Sequence, residues 1–200
     1  MSASIYQHSD VLDDQGFRPV SLFLNEPFEI IVQNNPHWKV ERSANGETVF
    51  MSPTGGRSGV RNSEITIQLG NWARSNGGMA FDSSTLFRLP NGALRSPDGC
   101  WLQTERWQSL TDDEQESYPP IAPDFVIELR SRTDRLIDLQ EKMTEYASNG
   151  VRLGWLIDPS LKQVHIYRPE EAPIVLNAPD RVSGETVLEG FTLDMSRIFT

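Results

Sequence analysis

A chain of 200 residues that is 38% apolar and 23% charged suits one globular domain and excludes an extensively disordered protein. No apolar run approaches the ~20 residues that cross a bilayer. The opening MSASIYQHSDVLDDQ has neither a basic nor an apolar leader segment, which points to a soluble, cytoplasmic protein. One cysteine, Cys100, excludes an internal disulfide, and His8, His37 and His165 lack zinc-ligand spacing, so any bound metal would take oxygen ligands.

The net charge of −10 opposes nucleic-acid binding as a bulk property, since phosphates are held by Lys and Arg. Its distribution is uneven. Residues 51–100 carry Arg57, Arg61, Arg74, Arg88 and Arg95 against Glu64, Asp82 and Asp98, whereas residues 1–50 and the stretch TDDEQES at 111–117 are acidic. The locally basic middle permits a nucleic-acid partner without requiring one.

In chain order, MSPTGG at 51–56 lacks the lysine of a phosphate loop and reads as a turn. Residues 62–75 place Ile65, Leu69 and Trp72 on one helical face and end at SNGG. Apolar segments on either side of Pro90-Asn91-Gly92 predict two antiparallel strands, and 111–123, acidic and then proline-rich, predicts a surface loop. Residues 125–129 predict a third strand. Leu136, Leu139, Met143 and Tyr146 give a second helix that Asn149-Gly150 stops, and LGWLID at 153–158 a further strand with QVHIYR as its hairpin partner. A strand, helix, strand passage over 125–158 predicts a right-handed parallel crossover, where polar groups at strand ends gather. The fold class expected is α/β, a mixed α+β sheet.

Glu128 stands inside the apolar run PDFVIEL, where an ionised carboxylate needs a partner. Asp98, in SPDG at the start of the preceding strand, could share an ion with it. Asp124 has the same parity but sits four residues earlier, roughly 13 Å along an extended strand, too far to join them. Arg130 has the parity of Glu128, and Lys142, one place off the apolar stripe of its helix, could carry an ammonium inward. Magnesium or manganese accepts two carboxylates plus water and substrate phosphate, the arrangement that hydrolyses phosphodiesters.

The segments SPDG (96–99), PDFVIELRS (123–131), DLQEKMTEYASNGVRLGWLIDP (138–159) and LEGFTLDMSRIF (188–199) resemble the Uma-two family of restriction endonucleases, within the PD-(D/E)XK nuclease superfamily. The resemblance runs from about residue 25 to the C-terminus. It implies a single domain over 1–200 with 1–24 an N-terminal extension, and a restriction-endonuclease-like core of helix, three antiparallel strands, helix and parallel strand. It also implies a magnesium-dependent endonuclease acting on DNA. Carried over by residue, Asp98 is the motif aspartate, Glu128 the motif acid and Glu64 an additional metal ligand. The superfamily expects lysine two places after the motif acid, where this chain has Arg130. The matching lysine is then Lys142 on the following helix, with Arg130 as a phosphate or carboxylate partner, because a guanidinium does not readily exchange protons. A homodimer would let one site per chain cut both strands of a duplex.

Each residue also has a structural reading. Glu128 could be a buried acid paired with Arg130 or Lys142, Asp98 a turn former, Lys142 a surface partner of Asp138, and Glu64 a solvated helix residue. Ser131 and Asp134 suit a turn or helix cap, Trp155 and Tyr146 the core, and Cys100 a small buried hydrophobe. Together these give the alternative, a nuclease-fold binding or assembly module without catalysis, which the pI of about 4.8 favours.

Overall fold

The structure, a computed structural model, describes residues 20–22, 24–51 and 53–200. The N-terminal extension expected over 1–24, with His8, falls almost wholly outside those residues, as does Ser52 within the expected turn. No helix among the described residues is long and apolar enough to cross a membrane.

The elements run β1 (Val20–Leu22), α1 (Phe28–Asn34), β2 (Lys39–Arg42), β3 (Thr48–Met51), α2 (Gly56–Asn76), β4 (Met79–Asp82), β5 (Phe87–Arg88), β6 (Leu94–Arg95), β7 (Gly99–Leu102), α3 (Thr104–Gln108), α4 (Asp112–Glu116), β8 (Phe125–Leu129), α5 (Leu136–Ser148), β9 (Leu153–Asp158), β10 (Gln163–Tyr167), β11 (Ile174–Asn177), β12 (Arg181–Ser183) and β13 (Thr192–Asp194). The main sheet has the order β11-β10-β9-β8-β7-β4. Among the described strands only β8 and β9 pair in parallel, with α5 as the crossover between them. Thus α2, the antiparallel strands β4, β7 and β8, helix α5 and the parallel strand β9 follow the helix, three strands, helix, strand order expected from the sequence.

Both faces of β8 are covered, so all five of its residues are buried and the two parities meet different helices. Phe125, Ile127 and Leu129 pack with Ile65, Leu69 and Ala73 of α2, and with Leu193, Met195 and Ile198 near the C-terminus. Burying Ile65 and Leu69 fully contributes about 2 kcal/mol each. Val126 packs on the opposite face with Met143 and Tyr146 of α5, beside Cys100 and Leu156. Glu128 shares the parity of Val126 and therefore lies under α5. That helix ends where Asn149 caps it and Gly150 adopts φ 98°, a left-handed conformation that costs glycine nothing.

The chain around Pro90–Gly92 forms four short strands in place of the two expected. β4 and β7 pair in the main sheet, while β5 and β6 pair in a second sheet of order β1-β3-β2-β6-β5. The hairpin changes sheets at two breaks. Ser84 donates its N–H and its hydroxyl to Asp82 Oδ1 in a local turn, and Pro97 has no N–H to give to a ladder. The switch brings Arg95 and Ser96 against β2. Residues 111–123 also hold more order than a loop: Thr111 and Glu114 form a capping box that starts α4.

Candidate active site

Glu41, on β2, is 2% exposed and collects three donors. Ser96 N–H reaches Oε1 at 2.8 Å, Arg95 Nη1 reaches Oε2 at 3.2 Å, and Lys142 Nζ lies 2.8 Å from Oε1. Burial alone would raise this carboxyl, but the charges of Lys142 and Arg95, with the Lys142 and Ser96 hydrogen bonds, bring it down to about 2. Arg95 is itself held by Glu145 of α5 through Nε.

Glu128 accepts at one oxygen from two donors, Lys142 Nζ at 2.8 Å and Tyr146 Oη at 3.0 Å, both on Oε1. Its Oε2 accepts no hydrogen bond among the described residues. Burial pushes this carboxyl up to about 7; Lys142 pulls it down, while the negative charges of Asp98 and Glu41 raise it. Lys142 itself is buried, which disfavours its charge, yet Glu128 and Glu41 together raise it above the ordinary lysine value. Its ammonium also lies 5.8 Å from the centre of the Tyr146 ring.

Asp98 precedes β7. Its Oδ2 accepts the N–H of Leu129, the residue after Glu128, at 2.9 Å, which ties the two acids across neighbouring strands. Among the described residues its Oδ1 has only long contacts, Asn62 Nδ2 at 3.3 Å and Lys39 Nζ at 3.6 Å.

Of the residues singled out in the sequence, Asp98, Glu128 and Lys142 come together. The inward reach of Lys142 is realised, and Asp138 faces Arg135 instead, at 3.8 Å. Arg130 engages a different carboxylate: Nη1 lies 2.7 Å from Asp158 Oδ2 and Nε donates to the carbonyl of Asp134. Glu64 accepts from Gln68 and pairs with Arg197 at 3.3 Å, so its carboxylate serves a contact between α2 and the C-terminal segment. Asp124 lies at the far end of β8, taking Gln103 N–H at 2.9 Å and Arg106 at 2.8 Å. Asp134 accepts the N–H of Ser131, closing the turn before α5. Trp155 and Tyr146 are buried, and burial raises the Cys100 thiol well above its usual range.

Sequence reasoning missed Glu41, Arg95, Asn62 and the hydroxyl of Tyr146. Asn45-Gly46 marks the turn from β2 into β3, with Gly46 at φ 90°, but nothing local marks the partners of Glu41.

Among the described residues no group of three or more His, Cys, Asp or Glu side chains could hold an ion on its own. The site therefore offers two carboxylates. That donor set, with Glu128 Oε2 free and Asp98 Oδ1 loosely held, fits a hard divalent cation that keeps water and takes a phosphate oxygen.

The comparisons with known proteins bear on the fold and the family. A crystal structure described as "a putative nuclease belonging to DUF820" from Anabaena variabilis ATCC 29413 superposes with a TM-score of 0.70 at 21% identity, over 80% of this chain and 89% of that one, and shares the fold. No curated protein matches the chain. The model of the family Uma2, described as "Putative restriction endonuclease", matches residues 25–196. Across that span, with a restriction-endonuclease-like fold beneath it, the chain belongs to the Uma2 family.

Proposed function

We propose that the chain is a metal-dependent endonuclease that hydrolyses DNA phosphodiester bonds, with Asp98 and Glu128 holding magnesium or manganese and Lys142 as the assisting cation. The observation that carries this reading is the meeting of two acids from adjacent strands with a buried ammonium: Asp98 bonds the N–H beside Glu128, and Lys142 stands 2.8 Å from Glu128. A divalent ion there would supply a coordinated water of lowered pKa and neutralise charge developing at phosphorus. The chain's own residues do the rest. Tyr146 and Lys142 both bind Oε1 of Glu128, which orients the carboxylate and leaves Oε2 to face a ligand. Glu41, itself held by Arg95, holds the ammonium of Lys142 in place, where it can stabilise a phosphorane oxygen or a hydroxide. Glu64 and Arg130 are already engaged elsewhere, so this reading assigns neither of them a catalytic step.

The test is manganese- or magnesium-dependent nicking of supercoiled plasmid. Glu128→Ala should abolish it while the protein still unfolds cooperatively; undiminished nicking by that variant would remove this site. A homodimer accompanies the proposal, because one site per chain must act twice to sever a duplex; sedimentation velocity reads it directly. The second reading, a nuclease-fold binding or assembly module, is favoured by the engagement of Lys142 with both Glu41 and Glu128 and by the net charge of −10. DNA left uncut by a protein that binds manganese would select it.

A further inference from the structure

Lys39 and Glu41 lie two apart on β2, so their side chains leave the same face of the strand, while Val40 between them packs with Phe28 and Leu94 on the other. That one face meets both acids of the site. Glu41 reaches Glu128 through the ammonium of Lys142, and Lys39 meets Asp98 directly, with Nζ 3.6 Å from Oδ1. The cations there differ in how tightly they are held. Lys142 and Arg95 each touch two carboxylates and have side chains 11% and 13% exposed, whereas the Lys39 side chain is 32% exposed and, among the described residues, pairs with Asp98 alone. Asp98 does not depend on that contact, since its Oδ2 accepts the N–H of Leu129 and its Oδ1 the amide of Asn62. Lys39 is thus a loosely held charge, open to solvent at the edge of the site.

We propose that Lys39 binds a backbone phosphate of the nucleic acid beside the ion at Asp98, as a substrate-binding residue. This rests on the functional reading above and deepens it. A divalent ion on Asp98 would cancel the carboxylate charge that attracts the ammonium and repel the ammonium itself, which frees Lys39 for an anion. A flexible four-carbon stem with three rotatable donors suits a point-charge contact to phosphate, which needs no fixed fork geometry. Lys142 is unsuited to that task, because Glu41 and Glu128 hold its ammonium at 2.8 Å each. In a chain of net charge −10, phosphate must be met by cations placed locally, and Lys39 supplies one where the acids of the site reach solvent.

The test is manganese-dependent nicking by the full chain, with initial rates measured against plasmid concentration over a series of salt concentrations. Lys39→Met should raise KM about tenfold with kcat within a few-fold, and should lower the slope of log kcat/KM against log salt by about one, the signature of one lost phosphate contact. Lys39→Arg should restore both. A KM and a salt slope equal to those of the unaltered protein would overturn the proposal, as would a loss confined to kcat at unchanged slope, which would mean that Lys39 acts through Asp98. If the unaltered protein cuts nothing, the nuclease reading falls and Lys39 is judged by binding alone, from the fluorescence anisotropy of a labelled DNA duplex with manganese present. There a salt slope lowered by about one in Lys39→Met still supports the phosphate contact, and an unchanged slope, or no binding by the unaltered protein, overturns it. Should Lys39→Met fail to fold, Lys39→Gln takes its place with the same expected outcomes.

Discussion

The ammonium of Lys142 lies 2.8 Å from Oε1 of Glu41 and 2.8 Å from Oε1 of Glu128, so a single helix-borne cation joins a strand of the second sheet to a strand of the main sheet. Both acids are buried, and removing the cation leaves them facing each other. Lys142→Met should therefore destabilise the protein at pH 8 by about 3–5 kcal/mol, the cost of breaking a buried pair from one side. The loss should shrink at pH 5, where Glu128 can take a proton. Urea titrations of both proteins at the two pH values measure it, and an equal loss at both would contradict the assigned role of Glu128.

Ion binding should follow the titration of Glu128. Its carboxyl is raised to about 7 in the folded protein from an ordinary value of 4.5, so the fold favours the protonated form, and this contribution to stability is lost as pH rises from about 4.5 to 7. Glu41 has the opposite sign: lowered to about 2, it contributes stability above pH 4.5 that is lost as pH falls toward 2. A cation ligated by Glu128 must displace its proton. Manganese affinity should therefore rise about tenfold per pH unit up to about pH 7 and level off above it, with one proton released per ion on the acid side. Calorimetry in buffers of different ionisation enthalpy counts that proton. A flat affinity from pH 5 to 8 would mean that Glu128 is not the ligand.

How much of this was legible in the sequence follows from the range of each interaction. β8, β9 and α5 were readable because an apolar run buried on both faces, and a helical stripe ended by Asn149-Gly150, are local patterns. The meeting of Asp98 with the backbone beside Glu128 followed from strand adjacency. Glu41 was not readable: its contact with Lys142 spans 101 residues, and KVER shows no alternation that would mark a half-buried strand. The exchange of sheets at Ser84 and Pro97 was equally hidden, since a strand that leaves one sheet for another keeps its local composition. Arg130 had the right parity and the wrong partner, because parity fixes the face of a sheet but not which neighbour on that face supplies the counter-charge.

The turn from α2 into β4 should tolerate no side chain. Gly78 sits at φ 80°, and a Cβ there would lie 2.2 Å from the Trp101 indole nitrogen, which donates to the carbonyl of Gly77 at 3.0 Å. Gly78→Ala combines left-handed strain with overpacking of a buried ring, so a loss of about 2–4 kcal/mol is expected in urea unfolding. Substitution at Gly92, where φ is 87° and a Cβ would meet nothing within 4 Å, isolates the backbone part and should cost only about 1–2 kcal/mol.

Lys142 and Arg130 are the two cations the sequence offered as catalytic, and their surroundings predict different consequences of losing them. Arg130 reaches Asp158, which is fully buried and also accepts the N–H groups of Ser160 and Leu161. Arg130→Met strands that carboxylate and should lower stability by about 2–3 kcal/mol. It leaves Glu128, Lys142 and Glu41 in contact, so nicking per folded molecule should stay within a few-fold of the unaltered protein. Lys142→Met removes the ammonium beside Glu128 and should lower nicking about a hundredfold or more, on the scale of losing one charge-stabilising group at a reacting centre. Comparing the two variants at a temperature where both are fully folded separates stability from chemistry. A larger catalytic loss from Arg130→Met than from Lys142→Met would transfer the catalytic cation from α5 to the residue that follows β8.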